Sequence, residues 1–130
     1  MTTAAERTKF EHANPILRVS NMAASVHYYT ETLGFINAEW GNDDFTCVTR
    51  DDAAIYLSHR SQGHYGTWAW VGVEDVDSLY REYTESGAKV RQPPRNYPWA
   101  LEIHVEDPDG NVLRFGSESL TSRPFDTWAD

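Results

Sequence analysis

The stretch VSNMAASVHYYTETLG, Val19 to Gly34, returns in altered form as VEDVDSLYREYTESG, Val73 to Gly87. In register, Val19 lies over Val73, Asn21 over Asp75, and Tyr29-Thr30-Glu31 over Tyr83-Thr84-Glu85. The second copy is one residue shorter, after which Gly34 falls over Gly87. The likeness continues outward, from NPILRV over WAWVGV upstream to DDAAIYLS over DGNVLRFG downstream. Ordered self-similarity of this kind marks a structural unit used twice.

Both copies read the same way. Asn21 and Asp75 are helix N-caps by residue type and position. Met22, Val26, Tyr29 and Leu33 in the first helix, and Val76, Leu79, Tyr80 and Tyr83 in the second, recur at the helical period. Gly34 and Gly87 stand where a helix end takes a left-handed residue. A short apolar strand precedes each helix, Pro15–Val19 and Trp68–Val73. Three strand-like runs follow each: Ile36–Trp40, Phe45–Thr49 and Ala54–Ser58, then Ala88–Gln92, Leu101–Val105 and Asn111–Phe115. GNDD, RDD and DPDG between them have turn chemistry. The expected fold is α+β, with two βαβββ modules over residues 12–61 and 62–117. Residues 1–11 read as an arm. Residues 118–130 read as a tail whose Phe125 and Trp128 are expected against the body or a partner.

A chain of 130 residues with 40% hydrophobic residues suits one structural domain with a real core. The single cysteine, Cys47, forms no internal disulfide. It lies in FTCVT without a histidine partner and reads as a small core residue. No apolar run approaches membrane length and MTTAAERTKFEH lacks a signal-peptide core, so a cytoplasmic protein is expected. The net charge of −9 disfavours nucleic acid and favours cationic ligands. Neither a glycine-rich phosphate loop nor a serine-nucleophile elbow is present.

Paired βαβββ modules, YYTETLGF closing the first helix and EDPDGNVLRFG in the last hairpin together resemble the vicinal oxygen chelate superfamily over about residues 12–117. That group includes glyoxalase I, extradiol dioxygenases, fosfomycin-resistance enzymes and bleomycin-binding resistance proteins. The resemblance implies cupped mixed sheets around a cleft. In metal-dependent members it also implies four ligands, one on the first and last strand of each module. Those positions fall here on Asn14, Tyr56, Trp68 and Arg114. Asparagine, tyrosine, tryptophan and arginine make a poor set for a divalent cation, because an indole cannot ligate and a guanidinium carries its own charge. The expectation is therefore a site with no catalytic residue, no metal and no cofactor. His12, two residues before Asn14, and His104 are the side chains that would reopen a metal site.

By strand alternation Arg114 shares a face with Val112, opposite Leu113 and Phe115. There it either meets a ligand or pairs with an acid such as Glu102. Trp68 and Trp70 share a face, as do Tyr56 and Ser58, and Asn14, Ile16 and Arg18. Trp40, Trp99 and Tyr97 fall near the rim. The expected ligand site is Trp68, Trp70, Tyr56, Arg114, Asn14, Trp40, Trp99, Ser58 and Arg18, some of whose tryptophans could equally be core. Rings in a concave site hold flat ligands by stacking and apolar burial. His59 and His64 read as solvated linker, and His27 as surface. His104, alternating with Glu102 and Glu106, could act as a general base only with an oriented partner.

The resemblance to the bleomycin-resistance branch implies metal-free sequestration of a bulky aromatic, cationic small molecule by a cytoplasmic homodimer, an antibiotic-resistance role. The alternatives are an enzyme of glyoxalase or dioxygenase type, metal-dependent or acting on a small aromatic metabolite, and a partner-binding module using the tail SRPFDTWAD. Whether the modules pair within a chain or swap between chains is open at this level.

Overall fold

A computed structural model describes residues 7–127; Trp128, one of the two tail aromatics singled out above, lies outside them. The first four strands are β1 (Ile16–Arg18), β2 (Ile36–Asn37), β3 (Phe45–Arg50) and β4 (Ala53–Ser58), with helix α1 (Met22–His27) after β1. The second four are β5 (Trp68–Gly72), β6 (Lys89–Asn96), β7 (Leu101–Glu106) and β8 (Val112–Ser117), with helix α2 (Val76–Ser86) after β5. They form two four-stranded mixed sheets, ordered β1-β4-β3-β2 and β5-β8-β7-β6. In each sheet the first pair is parallel and the others antiparallel. The fold is α+β, with the same unit laid down twice.

Local chemistry places the helices. The Asn21 side chain accepts from the Ala24 backbone N–H, and Asp75 does the same for Ser78, both at 3.0 Å. Gly34 and Gly87 have φ of +80° and +83°, a left-handed backbone that costs a Cβ-bearing residue about 1 kcal/mol or more. The extra residue of the first copy is absorbed as a π-helical turn, Tyr28–Thr32, that continues α1. There the Leu33 N–H reaches back five residues to the Tyr28 carbonyl at 3.0 Å.

The repeated tyrosines lock the halves together. Tyr29 and Tyr83 are both fully buried, and each sends its hydroxyl into the other half of the chain. Tyr29 donates to Asp107 Oδ2 at 2.9 Å, and Tyr83 donates to the Leu33 carbonyl at 2.8 Å. They belong to one continuous core with Leu17, Ile55 and Leu57 of the first sheet and Ile103, Leu113 and Phe115 of the second. The DPDG turn serves this seam too. Asn111 Nδ2 donates to the Arg18 carbonyl at 3.0 Å, and its Oδ1 accepts from the Thr67 N–H at 2.9 Å.

Most strand ends fall within two residues of expectation, and two strands differ by more. Strand β2 stops at Asn37, because the chain turns at once through a Gly41 N–H to Ala38 carbonyl bond of 3.1 Å. Strand β6 runs on through Pro93 and Pro94 to Asn96. It is the edge strand of its sheet with register shifts against β7, the setting in which a proline's missing N–H is tolerated. The tail returns to the last residue of this strand: Asn96 N–H donates to Asp126 Oδ2, and Asp126 N–H to the Asn96 carbonyl, both at 2.7 Å.

Candidate functional site

Alternation leaves each sheet a face turned away from the helices. On the second sheet this face carries Trp68 and Trp70 of β5, Arg114 and Gly116 of β8, and Glu102 and His104 of β7. Trp68, Trp70 and Trp99 are each about half exposed, at 49%, 51% and 51%. Gly116 is buried directly beneath Trp70: a Cβ there would lie 2.2 Å from the indole Cη2, so only glycine lets the ring lie down across β8. Trp99, in the turn after β6, stacks on Tyr97 with centroids 4.7 Å apart and planes 6° from parallel.

Under these rings sits one carboxylate. Glu102 is fully buried and accepts from Arg114 Nε at 3.0 Å and Nη2 at 2.9 Å. It also accepts from Trp99 Nε1 at 2.6 Å and bonds His104 Nε2 at 3.0 Å. Arg114 therefore pairs with Glu102, one of the two fates open to it, while its guanidinium carbon lies 5.5 Å from the Trp70 ring centre. Arg91, held by Glu106 at 2.9 Å, lies 5.2 Å over Trp68.

The corresponding face of the first sheet carries Ile16 and Arg18 of β1, Tyr56 and Ser58 of β4, and Phe45 of β3. Trp40, Phe45 and Tyr56 form a stacked file with centroid spacings of 6.3 and 5.3 Å. Arg18 lies 5.3 Å over Tyr65. Ser58 is buried and accepts from the Arg60 N–H at 3.3 Å. Asn14 precedes β1, donating to the Ala54 carbonyl at 3.1 Å and bonding the His12 ring at 2.9 Å.

The expected site residues thus fall into two aromatic sets, one on each sheet. A third feature lies between the modules: a groove of about 760 Å³ that includes Asn14 and Trp70 but none of Tyr56, Trp68, Trp40 or Trp99. Buried Phe35, Ile55, Leu79 and Phe115 line it, together with exposed Asp51, Asp52, Glu74 and Asp75. Phe45, Tyr65, Gly116 and the Glu102–Trp99 bond are parts of these surfaces that the sequence reading missed. Only Gly116, a glycine inside an apolar strand, carried a local signal.

The residues at the four metal positions of the fold do not fit a divalent ion. Asn14 is tied to Ala54 and His12, Tyr56 is stacked on Phe45, Trp68 cannot ligate, and Arg114 brings a positive charge already neutralised by Glu102. Among the described residues, no three or more His, Cys, Asp or Glu side chains are grouped to hold a metal. His12 and His104 bond instead to Asn14 and Glu102.

Burial lowers the His104 imidazole from its ordinary value against the upward pull of Glu102. A lowered imidazole contributes stability that is complete above its unfolded value of 6.5 and lost as pH falls through the folded one. Chemical denaturation at about pH 7 and about pH 5.5 should therefore show wild type losing more stability than His104→Gln. Asp107, raised mainly by burial, acts in the opposite sense, and the comparison with the variant cancels it. Equal losses in the two proteins would exclude the imidazole.

These features define a two-module sheet protein with half-exposed aromatic faces and, among the described residues, no group of three or more His, Cys, Asp or Glu side chains placed to hold a metal. The model of the Glyoxalase/Bleomycin resistance protein/Dioxygenase superfamily matches residues 9–115, and the chain belongs to that superfamily. Among solved structures it is similar to the bleomycin-binding protein of bleomycin-producing Streptomyces verticillus, complexed with copper(II)-bleomycin. The identity is 28% and the TM-score 0.75, over 87% of this chain and 100% of that one. It also shares its fold with TnmS3, an antibiotic-binding protein from Streptomyces sp. CB03234, at 24% identity and TM-score 0.72, over 87% and 100% of the two chains. The bleomycin resistance determinant encoded on transposon Tn5 shares the fold at 20% identity and TM-score 0.71, over 85% and 100%. No match was found among curated protein sequences. No helix of the described residues is long and apolar enough to cross a membrane.

Proposed function

We propose that this protein captures a bulky aromatic small molecule on its aromatic faces and sequesters it without breaking a bond, as bleomycin-type resistance requires. The observation that carries this reading is the floor of Trp68, Trp70 and Trp99, half open to solvent yet anchored from beneath. Half-exposed, fixed rings lose little entropy on binding and gain stacking and burial, about 25 cal/mol per Å² of apolar surface covered. The cationic character of the guest is supported by the net charge of −9 and by the acids lining the groove beside Trp70. The local guanidiniums do not oppose it strongly, since Arg114 and Arg91 are each paired with a glutamate. The protein uses no metal or cofactor of its own. A homodimer is the expected assembly, in which a second copy walls a cleft over these faces, Trp40 at 60% exposure among them, and leaves the guest room on the floor.

One observation favours an enzyme instead. His104 has the oriented carboxylate partner that a general base requires, Glu102 at 3.0 Å. Against it, the same carboxylate already neutralises Arg114, and His104 is 8% exposed.

Tryptophan fluorescence titration with bleomycin and other cationic aromatic compounds decides between them, run beside elemental analysis and sedimentation. Saturable quenching by at least one compound, unchanged compound on recovery and no stoichiometric metal are expected. Stoichiometric metal with turnover of a substrate would replace capture with catalysis.

A further inference from the structure

We infer that Glu102 is the positioning residue of the aromatic floor, one buried carboxylate that sets the orientation of three tryptophans at once. The inference rests on the reading that this face receives the ligand. A carboxylate in the middle of a sheet carries a large desolvation penalty, and an apolar residue would pack β7 without it. Its neighbours show what the charge achieves. One arm is direct: Trp99 Nε1 donates to Oε2 at 2.6 Å, setting the indole flat on Tyr97, whose hydroxyl donates to Gln92 Oε1 at 3.2 Å. The second arm runs through Arg114, whose guanidinium is locked by both carboxylate oxygens and lies 5.5 Å from the Trp70 ring centre. The third runs through His104, whose ring meets Trp68 edge-on at 5.5 Å and 83°.

These arms reach side chains from β5, β7, β8 and the turn between β6 and β7, so one carboxylate spans nearly the whole face. The rings it orients are the half-exposed tryptophans of the second sheet. Glu102 itself is fully buried, beneath the rings that a guest would meet. It acts by holding the rings in one arrangement before the guest arrives, which removes the cost of ordering them during binding.

The test is Glu102→Gln, which keeps the shape and replaces one acceptor oxygen by an NH₂ that confronts Arg114 or Trp99. Near-UV circular dichroism and acrylamide quenching are measured on the ligand-free protein, and affinity is measured with bleomycin. The expected result is a weakened near-UV signal and more quenchable tryptophans with far-UV signal and cooperative melting retained, and affinity lower by about tenfold or more. An unchanged near-UV spectrum in a folded variant overturns the inference. Failure of wild type to bind bleomycin counts against the ligand reading alone, because the spectra of the ligand-free protein still decide the role of Glu102. Should Glu102→Gln not fold, Arg114→Gln and His104→Gln each sever one arm. Loss of near-UV signal in both supports the network, and loss in neither overturns it.

Discussion

Replacing Asp107 with alanine is expected to destabilise the protein by about 3–5 kcal/mol, the range for breaking a buried polar network. Asp107 is 3% exposed and uses both oxygens. Oδ1 accepts the backbone N–H groups of Asp109 at 2.8 Å and Asn111 at 3.0 Å. Oδ2 accepts the Tyr29 hydroxyl and Asn111 Nδ2, both at 2.9 Å. Truncation strands a phenol in the fully buried Tyr29 and frees the turn that ties β8 to the Arg18 carbonyl. A buried donor left without an acceptor costs about 1–3 kcal/mol. Burial raises the Asp107 carboxyl, so part of the gain from its hydrogen bonds is offset by desolvation, and the loss stays below the sum of the bonds. Asp107→Asn keeps one acceptor and should lose less than half as much. Urea midpoints with matched slopes read the difference, and an alanine variant within about 1 kcal/mol of wild type would refute the role given to this turn.

Trp68→Ala is expected to weaken binding of the aromatic guest by about 1–3 kcal/mol, a loss of roughly 5- to 150-fold in affinity. Trp68 stands on β5, an edge strand, with half its surface in solvent, one edge against His104 and Arg91 across its face. Its contribution to folding is correspondingly small, within about 1 kcal/mol, as for most surface substitutions. The two effects separate cleanly: affinity falls while the melting temperature holds. Fluorescence titration of the variant through its remaining tryptophans provides the measurement, and unchanged affinity would remove Trp68 from the site.

Much of the fold was legible because it is written twice. The pairs Asn21 and Asp75, Gly34 and Gly87, and Tyr29 and Tyr83 announce caps, helix ends and core in both copies. The one-residue offset between copies is the π-helical turn after α1. Arg114 was legible as a cation beside Glu102, since alternation puts both on one face of neighbouring strands. What escaped depends on contacts distant in sequence or on loop paths. The bond from Trp99 to Glu102 needs the path of the turn after β6. The grouping into two faces needs the packing of the modules through their shared core, which no periodicity records. The extension of β6 across two prolines needs its place at a sheet edge.

The bare backbone at Gly116 has a consequence for how such a floor can diversify. The atoms that a methyl group there would strike are the far end of the Trp70 indole, not main chain. A single added carbon would therefore swing the ring aside and reshape the relief offered to a guest while β8 kept its path. Under the capture function proposed above, one small substitution at this position would alter the contour of the floor and leave the architecture beneath it in place.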